Sequence, residues 1–279
     1  MRRMTWVAVA SLLLAAVGIA PVSGQASRDA LHRPFDELLD LYVRDGLVYY
    51  NALRSDRSRL DAYIASLDGP RAAGVDSWPQ EDQIAFWLNA YNAWVLRAVI
   101  DHYPIRGRAA NYPPGSIRQI PGVFDRTKRR IAGRSLTLDE IETTVLPAFR
   151  DPRLYLALGR GALGSGRLRS EAYLGSRLGA QLDAVAREFV TNGHLFRIDE
   201  TANVIHVTPI VSWREQDFVA AYAGAAPDRY AQRSPVERAI LAFVLPSLLP
   251  HEIAFVEKNE FAVRFREFDW RLNEMGARR

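Results

Sequence analysis

A serine within a glycine-rich stretch is the strongest candidate for a nucleophile in this chain. Residues 159–166 read Gly-Arg-Gly-Ala-Leu-Gly-Ser-Gly, and Ser165 lies in this bend between an apolar run and a predicted helix. A hydroxyl placed there would be exposed, near backbone N–H groups and near the positive end of a helix dipole. The alternative is conformational, because the Gly-x-Ser-x-Gly elbow is missing and small residues in a turn commonly serve a positive φ.

A catalytic serine also needs a general base, and two histidines lie downstream of it. His194 and His206 belong to a predicted hairpin region, and Asp217 or Glu142 could orient either imidazole. The same two histidines with an acid could assemble a metal site, but the five histidines are scattered and no His-x-x-x-His pair occurs. No Gly-x-x-x-x-Gly-Lys phosphate loop is present either. We therefore predict neither a metal nor a cofactor.

Two amides and an indole on the longest predicted helix could line a pocket beneath the glycine-rich stretch. Trp87, Asn89 and Asn92 lie on a helix predicted from Gln80 to about His102, and amide donors could hold an oxyanion or a sugar or peptide carbonyl. The alternative is that Asn92 at least is a buried amide that satisfies loop backbone. His102 itself is expected to interact with the C-terminal end of the helix dipole.

Arginines in and after the glycine-rich stretch could bind an anionic group. Arg160, Arg167 and Arg169 offer donors to a carboxylate or a phosphate, although a solvated charged face has the same composition. The formal net charge of the chain is +4, and removal of Arg2 and Arg3 lowers it by two, to +2. This charge is too small to indicate a nucleic-acid partner.

The N-terminus has the three parts of a secretory signal peptide. Two arginines open it, an apolar core runs over residues 6–20, and small residues follow. Cleavage after Gly24 or Ala26 would remove it, so we assign residues 1–26 to the signal peptide and 27–279 to the mature domain. An uncleaved anchor is the alternative, but the apolar run falls short of the roughly 20 residues that span a bilayer. We expect a bacterial periplasmic or secreted protein with no membrane span after cleavage.

The composition limits how the exported domain is stabilised. The chain contains no cysteine, so burial of apolar surface must supply the stability without disulfides. Thiol catalysis and thiolate metal sites are excluded for the same reason. No linker of Pro, Gly or Ser divides the mature chain, whose length of about 250 residues fits one domain.

Helical patterns outnumber strand patterns among the elements that must position these side chains. Apolar spacing predicts further helices over residues 35–43, 56–67, 141–149, about 170–190, 213–222 and 235–245. Alternation predicts hairpins over residues 128–137 and 195–207, a strand over 261–268, and a buried strand over 154–158. Thr137 and Glu140 form a capping box, and we expect capping and surface roles for Glu140 and Glu142. The predicted fold class is α+β: a mainly helical single domain with a small antiparallel sheet and hairpins.

Several separate blocks of the chain follow one another in the order found in a known family. They are Phe86-Trp-Leu-Asn-Ala-Tyr-Asn-Ala93, Gly133-Arg-Ser-Leu with Asp139-Glu-Ile-Glu142, Asp151-Pro-Arg-Leu-Tyr-Leu-Ala-Leu158, Trp213 with Asp217-Phe218, and Phe268-Asp-Trp-Arg-Leu-Asn273. Through these blocks, nearly the whole mature chain resembles the bacterial and plant family catalogued as domain of unknown function 547 (DUF547). The resemblance implies no particular activity, because none is assigned to the family as a whole.

One departure from the family pattern falls in the glycine-rich stretch. The family commonly carries two cysteines and a proline there, and on a simple register Arg160 and Ser165 replace the cysteines while Gly166 replaces the proline. If the family performs thiol chemistry, this member either uses another nucleophile or has lost the activity. The missing thiols favour a binding or structural protein of the cell envelope, whose partner would be a small molecule or a protein. The alternative is a hydrolase or transferase that acts on envelope peptide, glycan or ester through Ser165.

Overall fold

The computed structural model describes residues 22–276, with side chains from residue 24. The predicted signal peptide therefore lies largely outside the described residues. The helices are α1 Val22–Tyr42, α2 Tyr50–Ser55, α3 Ser58–Ser66, α4 Gln80–His102, α5 Leu138–Glu140, α6 Arg153–Leu156, α7 Leu178–Thr191, α8 Pro209–Trp213, α9 Glu215–Tyr222, α10 Pro235–Val244 and α11 Pro250–Lys258. The strands are β1 Val43–Arg44, β2 Leu47–Val48, β3 Arg129–Ile131, β4 Arg134–Leu136, β5 Phe196–Asp199, β6 Val204–Val207 and β7 Ala262–Phe265.

The mainly helical α+β class predicted from the sequence is confirmed. Strands β1 and β2, and strands β3 and β4, form two-stranded antiparallel hairpins, and β5, β6 and β7 form a three-stranded sheet in that order. In this sheet β5 pairs with β6 in antiparallel fashion, whereas β7 adds to β6 in parallel. Ala132 and Gly133, with φ of 50° and 76°, make the turn of the β3–β4 hairpin, as a two-residue turn with both φ positive requires.

Helix α4 is the central element of the core. It begins after Pro79 and ends at His102, close to its predicted bounds, because Pro104 cannot continue a helix. Residues on all its faces are buried, as expected for a helix surrounded by other elements, and it packs against α1, α2 and α3. The His102 ring nitrogen Nδ1 lies 2.9 Å from the Ala98 carbonyl oxygen in the last turn. Because α4 is surrounded on all sides, Asn89 and Asn92 lie in the interior of the protein.

Three sequence interpretations of local structure are corrected. The buried strand over residues 154–158 is wrong: this run begins as the short helix α6 and continues as a buried irregular segment. The helix expected from about residue 170 is regular only from Leu178, after a 3₁₀ turn at Gly175–Arg177. Helix α11 was not predicted. Among the described residues, no helix combines the length and apolar character that crossing a membrane requires.

Candidate functional site

The glycine-rich stretch is packed into the molecule rather than exposed. The backbone N–H of Leu163 donates to the Arg271 carbonyl oxygen (2.9 Å) and that of Gly164 to the Asp269 carbonyl oxygen (2.9 Å). Gly161, with φ of 68°, leaves little room for a side chain beside Val95, because a Cβ there would lie 3.3 Å from a Val95 methyl group. The stretch is therefore fixed between α4 and the C-terminal segment.

Ser165 is buried, which corrects the expectation of an exposed hydroxyl. Its side chain belongs to a residue that is 4% exposed, and Oγ accepts a hydrogen bond from the Arg160 backbone N–H at 3.0 Å. Among the described residues, no imidazole or carboxylate is hydrogen-bonded to this oxygen. The hydroxyl therefore links the beginning of the loop, at Arg160, to its end, a local side-chain to backbone hydrogen bond of the kind that stabilises turns.

Ser165 and His194 line one pocket, which we call the serine pocket; Arg167 and Asn273 line it as well. Its volume is about 430 Å³. His194 Nδ1 lies 3.6 Å from Asp269 Oδ2, and hydrogen bonds from Arg271 hold the pKa of Asp269 below its usual range. Arg167 is largely exposed and donates to Asp45 at 2.9 Å. Ser165 and His194 thus line the same pocket without a hydrogen bond between them, and Asp269 lies beside the imidazole but outside the pocket lining.

His206 is not part of the serine pocket. It lies on the central strand β6, with Arg197 of β5 and Arg264 of β7 as its direct cross-strand neighbours. Partial burial and then these cations, with Arg266, lower the pKa of His206 because they disfavour the imidazolium. Asp217, the other proposed orienting carboxylate, lies beside Tyr155, where it adds to the effect of burial in raising the pKa of the phenol. The structure therefore does not bring His206 to Ser165.

Both asparagines of α4 are buried and bind loop backbone. Asn89 Nδ2 donates to the Tyr173 carbonyl oxygen at 2.7 Å, and its Oδ1 accepts from the Tyr173 N–H at 2.9 Å. Asn92 Oδ1 accepts from the Gly159 N–H at 2.8 Å, and its Nδ2 donates to the Ala157 carbonyl oxygen at 3.3 Å. Asn92 therefore positions the start of the glycine-rich stretch, and Asn89 holds the backbone at Tyr173. Each Nδ2 uses one of its two N–H groups for this, and both side chains are buried, so we assign the two amides to backbone positioning.

Trp87 is also buried, and it lies away from the two pockets beside the glycine-rich stretch. Its ring meets Phe86 edge-on, and the Arg134 guanidinium lies 5.5 Å from its centroid. We therefore assign it to the core rather than to a binding site.

Arg160 points to the other side of the loop and forms a buried ion pair with Glu142. Its Nη2 donates to Glu142 Oε2 at 2.6 Å, Nε donates to Oε1 at 3.2 Å, and Nη1 donates to the Tyr155 carbonyl oxygen at 3.0 Å. Tyr91 OH donates to Glu142 Oε1 at 2.5 Å. Burial alone would raise the pKa of Glu142, but Arg160, Tyr91 and the nearby Arg214 outweigh it, so the pKa lies below its usual value.

This ion pair forms the floor of a second pocket, which we call the arginine pocket. It has a volume of about 260 Å³. Its charged lining consists of Arg118, Asp139, Glu142, Arg160 and Arg214. Its aromatic lining consists of Phe124, Trp213 and Trp270.

Of the other two arginines of the arginine pocket, Arg214 is weakly paired and Arg118 is not paired with a described carboxylate. Arg214 Nη2 lies 3.6 Å from Glu142 Oε2, and its guanidinium lies 4.9 Å from the Tyr155 ring centroid. Arg118 lies over the rings of Trp270 and Phe124, at 4.3 and 4.7 Å from their centroids. Within the described residues it pairs with no carboxylate, and its Nε is buried without a hydrogen-bond partner. The pocket therefore contains cationic donors that protein groups do not satisfy.

Sequence reasoning missed Arg118, Asp139 and Trp270 as site residues and placed Glu142 at the surface, which is wrong. The family blocks that contain Asp139, Trp213 and Trp270 were the available signal. These blocks are far apart in the chain, so only the fold shows that they meet. Burial, followed by the charge of Glu142, raises the pKa of Asp139 above its usual value.

The described residues contain no cluster of three or more histidine, aspartate or glutamate side chains arranged to hold a metal ion. Gly159, Gly161 and Gly164 have the spacing of the Gly-x-Gly-x-x-Gly dinucleotide motif. That motif requires a preceding strand and a helix that starts within it, whereas this stretch follows α6 and the next helix α7 begins at Leu178. Neither signal identifies a cofactor site.

The comparison with known families agrees with the sequence blocks. The family model described as "Protein of unknown function, DUF547" matches residues 75–190, so the resemblance is confirmed over this part of the chain. The match includes Glu142, Arg160 and Ser165, while Trp213, Arg214 and Trp270 lie beyond it. No curated protein and no solved structure matches the chain at a significant level.

Proposed function

We propose that this is an exported protein of the bacterial cell envelope, periplasmic or secreted, that binds a small molecule or a partner protein without turnover. The observation that carries the proposal is the state of Ser165: a buried hydroxyl that accepts the Arg160 N–H and has no base bonded to it. A serine nucleophile needs a base within hydrogen-bond reach and an exposed Oγ. Two pockets flank the loop, so the same segment offers binding surface without the machinery of acyl transfer.

The absence of turnover is tested with an activity-based fluorophosphonate probe on the purified exported protein. We expect no labelling, and no hydrolysis of p-nitrophenyl acetate above that of the Ser165→Ala variant. Labelling of wild-type protein that disappears in Ser165→Ala would contradict a purely binding role.

Export is tested by fractionation of the cells that produce the full chain and by N-terminal sequencing of the recovered protein. We expect a periplasmic or extracellular protein that starts at Gln25 or Ser27, as cleavage after Gly24 or Ala26 requires. A cytoplasmic protein that retains Met1 would contradict the export proposal.

A hydrolase or transferase that acts on envelope peptide, glycan or ester is the second candidate. It is favoured by the serine pocket, in which Ser165 and His194 share a lining and Asp269 lies 3.6 Å from the imidazole. Catalysis would require His194 to move to Ser165 when substrate binds, since active-site hydrogen bonds can tighten in the substrate complex. Under this candidate His194→Ala abolishes serine labelling as completely as Ser165→Ala, whereas His206→Ala leaves labelling intact because His206 lies on β6 outside the pocket.

A further inference from the structure

The arginine pocket has more positive than negative charge. Three guanidinium groups face two carboxylates, so the lining carries a net charge of +1 when Asp139 and Glu142 are ionised. Arg160 and Glu142 neutralise each other through two hydrogen bonds. The excess positive charge therefore belongs to Arg118 and Arg214, which the protein pairs only weakly or not at all.

Arg118 lies among aromatic rings, and within the described residues its guanidinium donates no hydrogen bond. Its guanidinium carbon lies 4.3 Å from the Trp270 ring centroid, 4.7 Å from that of Phe124 and 5.8 Å from that of Tyr112, and cation–π attraction to these rings restrains the group. The N–H donors of a guanidinium lie in its plane and can bind a planar, bidentate acceptor. Because Nε is buried, we expect Nη1 and Nη2 of Arg118 to be the groups that bind it. A buried guanidinium N–H without a partner costs free energy, and a bound ion is one explanation for such a group. Arg118 has the features of a pre-formed carboxylate fork.

The aromatic wall of the arginine pocket supplies the second half of a recognition site. Trp213 is 48% exposed, unusually high for tryptophan, and it packs on Phe268 with ring centroids 5.1 Å apart. Phe268 in turn packs on Trp270, with ring centroids 4.3 Å apart, so these two rings restrain the exposed indole of Trp213. A rigid, exposed aromatic surface beside a cationic fork suits a ligand with a flat or apolar ring next to its charge.

The size and charge of the pocket narrow the class of ligand further. A volume of about 260 Å³ is at or below the lower end of small-molecule sites, which begin near about 300 Å³, so one ring with a short substituent fits. A monoanion would neutralise the excess charge of +1, whereas a phosphate dianion would leave a buried negative charge beside Asp139 and Glu142. A single carboxylate is the matching group.

We infer that the arginine pocket binds a cyclic monocarboxylate, with the carboxylate held by Arg118 and Arg214 and the ring against Trp213. The inference rests on the proposed binding function and names the ligand class of one pocket. It does not involve Ser165 or His194.

The test is isothermal titration calorimetry of the purified exported protein against four small probes. Benzoate and glucuronate carry a monocarboxylate on an aromatic and on a sugar ring, benzamide is the neutral isostere of benzoate, and phenyl phosphate is the dianion. We expect benzoate, glucuronate or both to bind with a Kd below about 1 mM, and benzamide to bind at least about tenfold more weakly than the better carboxylate. Whichever carboxylate binds more tightly identifies the ring type.

Two substitutions tie the binding to this pocket. Arg118→Ala and Arg214→Ala are each expected to weaken carboxylate binding about tenfold or more, and Arg118→Lys to weaken it as well, because lysine keeps the charge but loses the planar fork. Arg33→Ala is the matched control, since Arg33 is an exposed arginine of α1 that pairs with Glu37. The control is expected to bind as wild type. Melting temperatures of all variants confirm folding, and Arg118→Lys keeps the test valid if Arg118→Ala does not fold.

Three outcomes would overturn the inference: no binding of either carboxylate, binding of benzamide as tight as benzoate, or tighter binding of phenyl phosphate than of both carboxylates. Equal binding by wild type and the Arg118 and Arg214 variants would overturn it too, because the carboxylate would then sit elsewhere. These failures differ from a failure of the proposed function, which would appear as serine labelling or ester hydrolysis whether or not a carboxylate binds.

Discussion

Glu142 faces the interior although it lies only two residues after a carboxylate that caps a helix. The capping box explains Glu140, whose carboxylate accepts the Thr137 N–H at 2.7 Å. Glu142 follows two residues later in the same helical turn, and side chains two positions apart point to nearly opposite faces of a helix. Because Glu140 faces the solvent, this spacing predicts that Glu142 faces the interior. What no local pattern could predict is its partner, because Arg160 comes from the irregular loop beyond α6.

The Arg160–Glu142 pair gives a stability prediction at the residue scale. Arg160→Ala should lower the free energy of unfolding by about 3 kcal/mol, because it removes the cation that is hydrogen-bonded to the buried Glu142 carboxylate and leaves only Arg214, at 3.6 Å, beside it. The double variant Arg160→Met with Glu142→Gln should lose less than Arg160→Ala alone, since no unpaired charge remains and the new amide oxygen could still accept from Tyr91. Urea unfolding followed by circular dichroism measures both. A double variant less stable than Arg160→Ala would show that the pair stabilises the fold beyond its own burial cost.

His32 gives a pH prediction. It is buried between α1 and α3, its Nδ1 lies 2.8 Å from Tyr63 OH, and burial lowers the pKa of the imidazole to about 4, with Asp29 acting weakly in the opposite direction. The unfolded chain has a histidine pKa of about 6.5. Between these two pKa values the imidazole is protonated in the unfolded state and neutral in the folded state. The contribution of His32 to the free energy of unfolding is therefore fully present above about pH 6.5 and decreases as the pH falls towards 4.

The contribution of His32 is measured against His32→Gln, which cannot titrate. The stability of wild type relative to this variant should fall by about 3 kcal/mol between pH 7 and pH 4, whatever the difference is at pH 7. Chemical unfolding at several pH values provides the comparison. A difference that does not change with pH would mean that the folded imidazole titrates normally and is not desolvated.

At the scale of elements, the sequence predicted those whose pattern is long or whose turn is specific. Helix α4 was predicted almost to the residue, because 23 residues of apolar spacing end at a proline. The hairpin β3–β4 was predicted from a two-residue turn whose second residue is glycine. The prediction of a strand over residues 154–158 was wrong because five consecutive apolar residues show neither the period of a strand nor that of a helix. Burial alone does not distinguish a strand from a helical turn.

The glycine-rich stretch gives a prediction for a loop element. Gly166 lies so close to helix α6 that a Cβ at this position would overlap the Leu156 carbonyl oxygen. Gly166→Ala should therefore lower the free energy of unfolding by about 3 kcal/mol, since backbone rather than a flexible side chain must move. Gly179→Ala on α7 is the control: no atom lies within 4 Å of its Cβ position, and alanine favours a helix, so stability should rise by about 0.5 kcal/mol. Thermal unfolding that ranks the two variants alike would contradict the packing described for this loop.

At the scale of the whole molecule, the C-terminal segment ties distant parts of the chain together. Asn273 accepts from Tyr50 OH at 2.7 Å and donates to the Gly46 carbonyl oxygen at 2.9 Å, while its own carbonyl oxygen accepts from the Val48 N–H at 2.9 Å. The same segment accepts hydrogen bonds from Leu163 and Gly164. From the sequence, this segment was recognised only as the block Phe268-Asp-Trp-Arg-Leu-Asn273, and its partners were not predicted, because contacts across more than two hundred residues leave no local pattern. The candidate site shares this property: Ser165, Arg160 and Glu142 were recognisable as residue types, but not the C-terminal residues that complete both pockets.

The region matched by the family model should consequently not fold by itself. Helix α4 lies within residues 75–190, but α1, α2 and α3, which cover it, precede residue 75. Isolated residues 75–190 would expose the α4 side chains that pack against α1, α2 and α3, and would leave the glycine-rich stretch without its partners at Asp269 and Arg271. We expect a poorly dispersed proton NMR spectrum and no cooperative urea transition for residues 75–190, against a single cooperative transition for residues 27–276. A cooperative transition in the shorter chain would contradict this expectation. It would mean that residues 75–190 fold without α1, α2, α3 and the C-terminal segment.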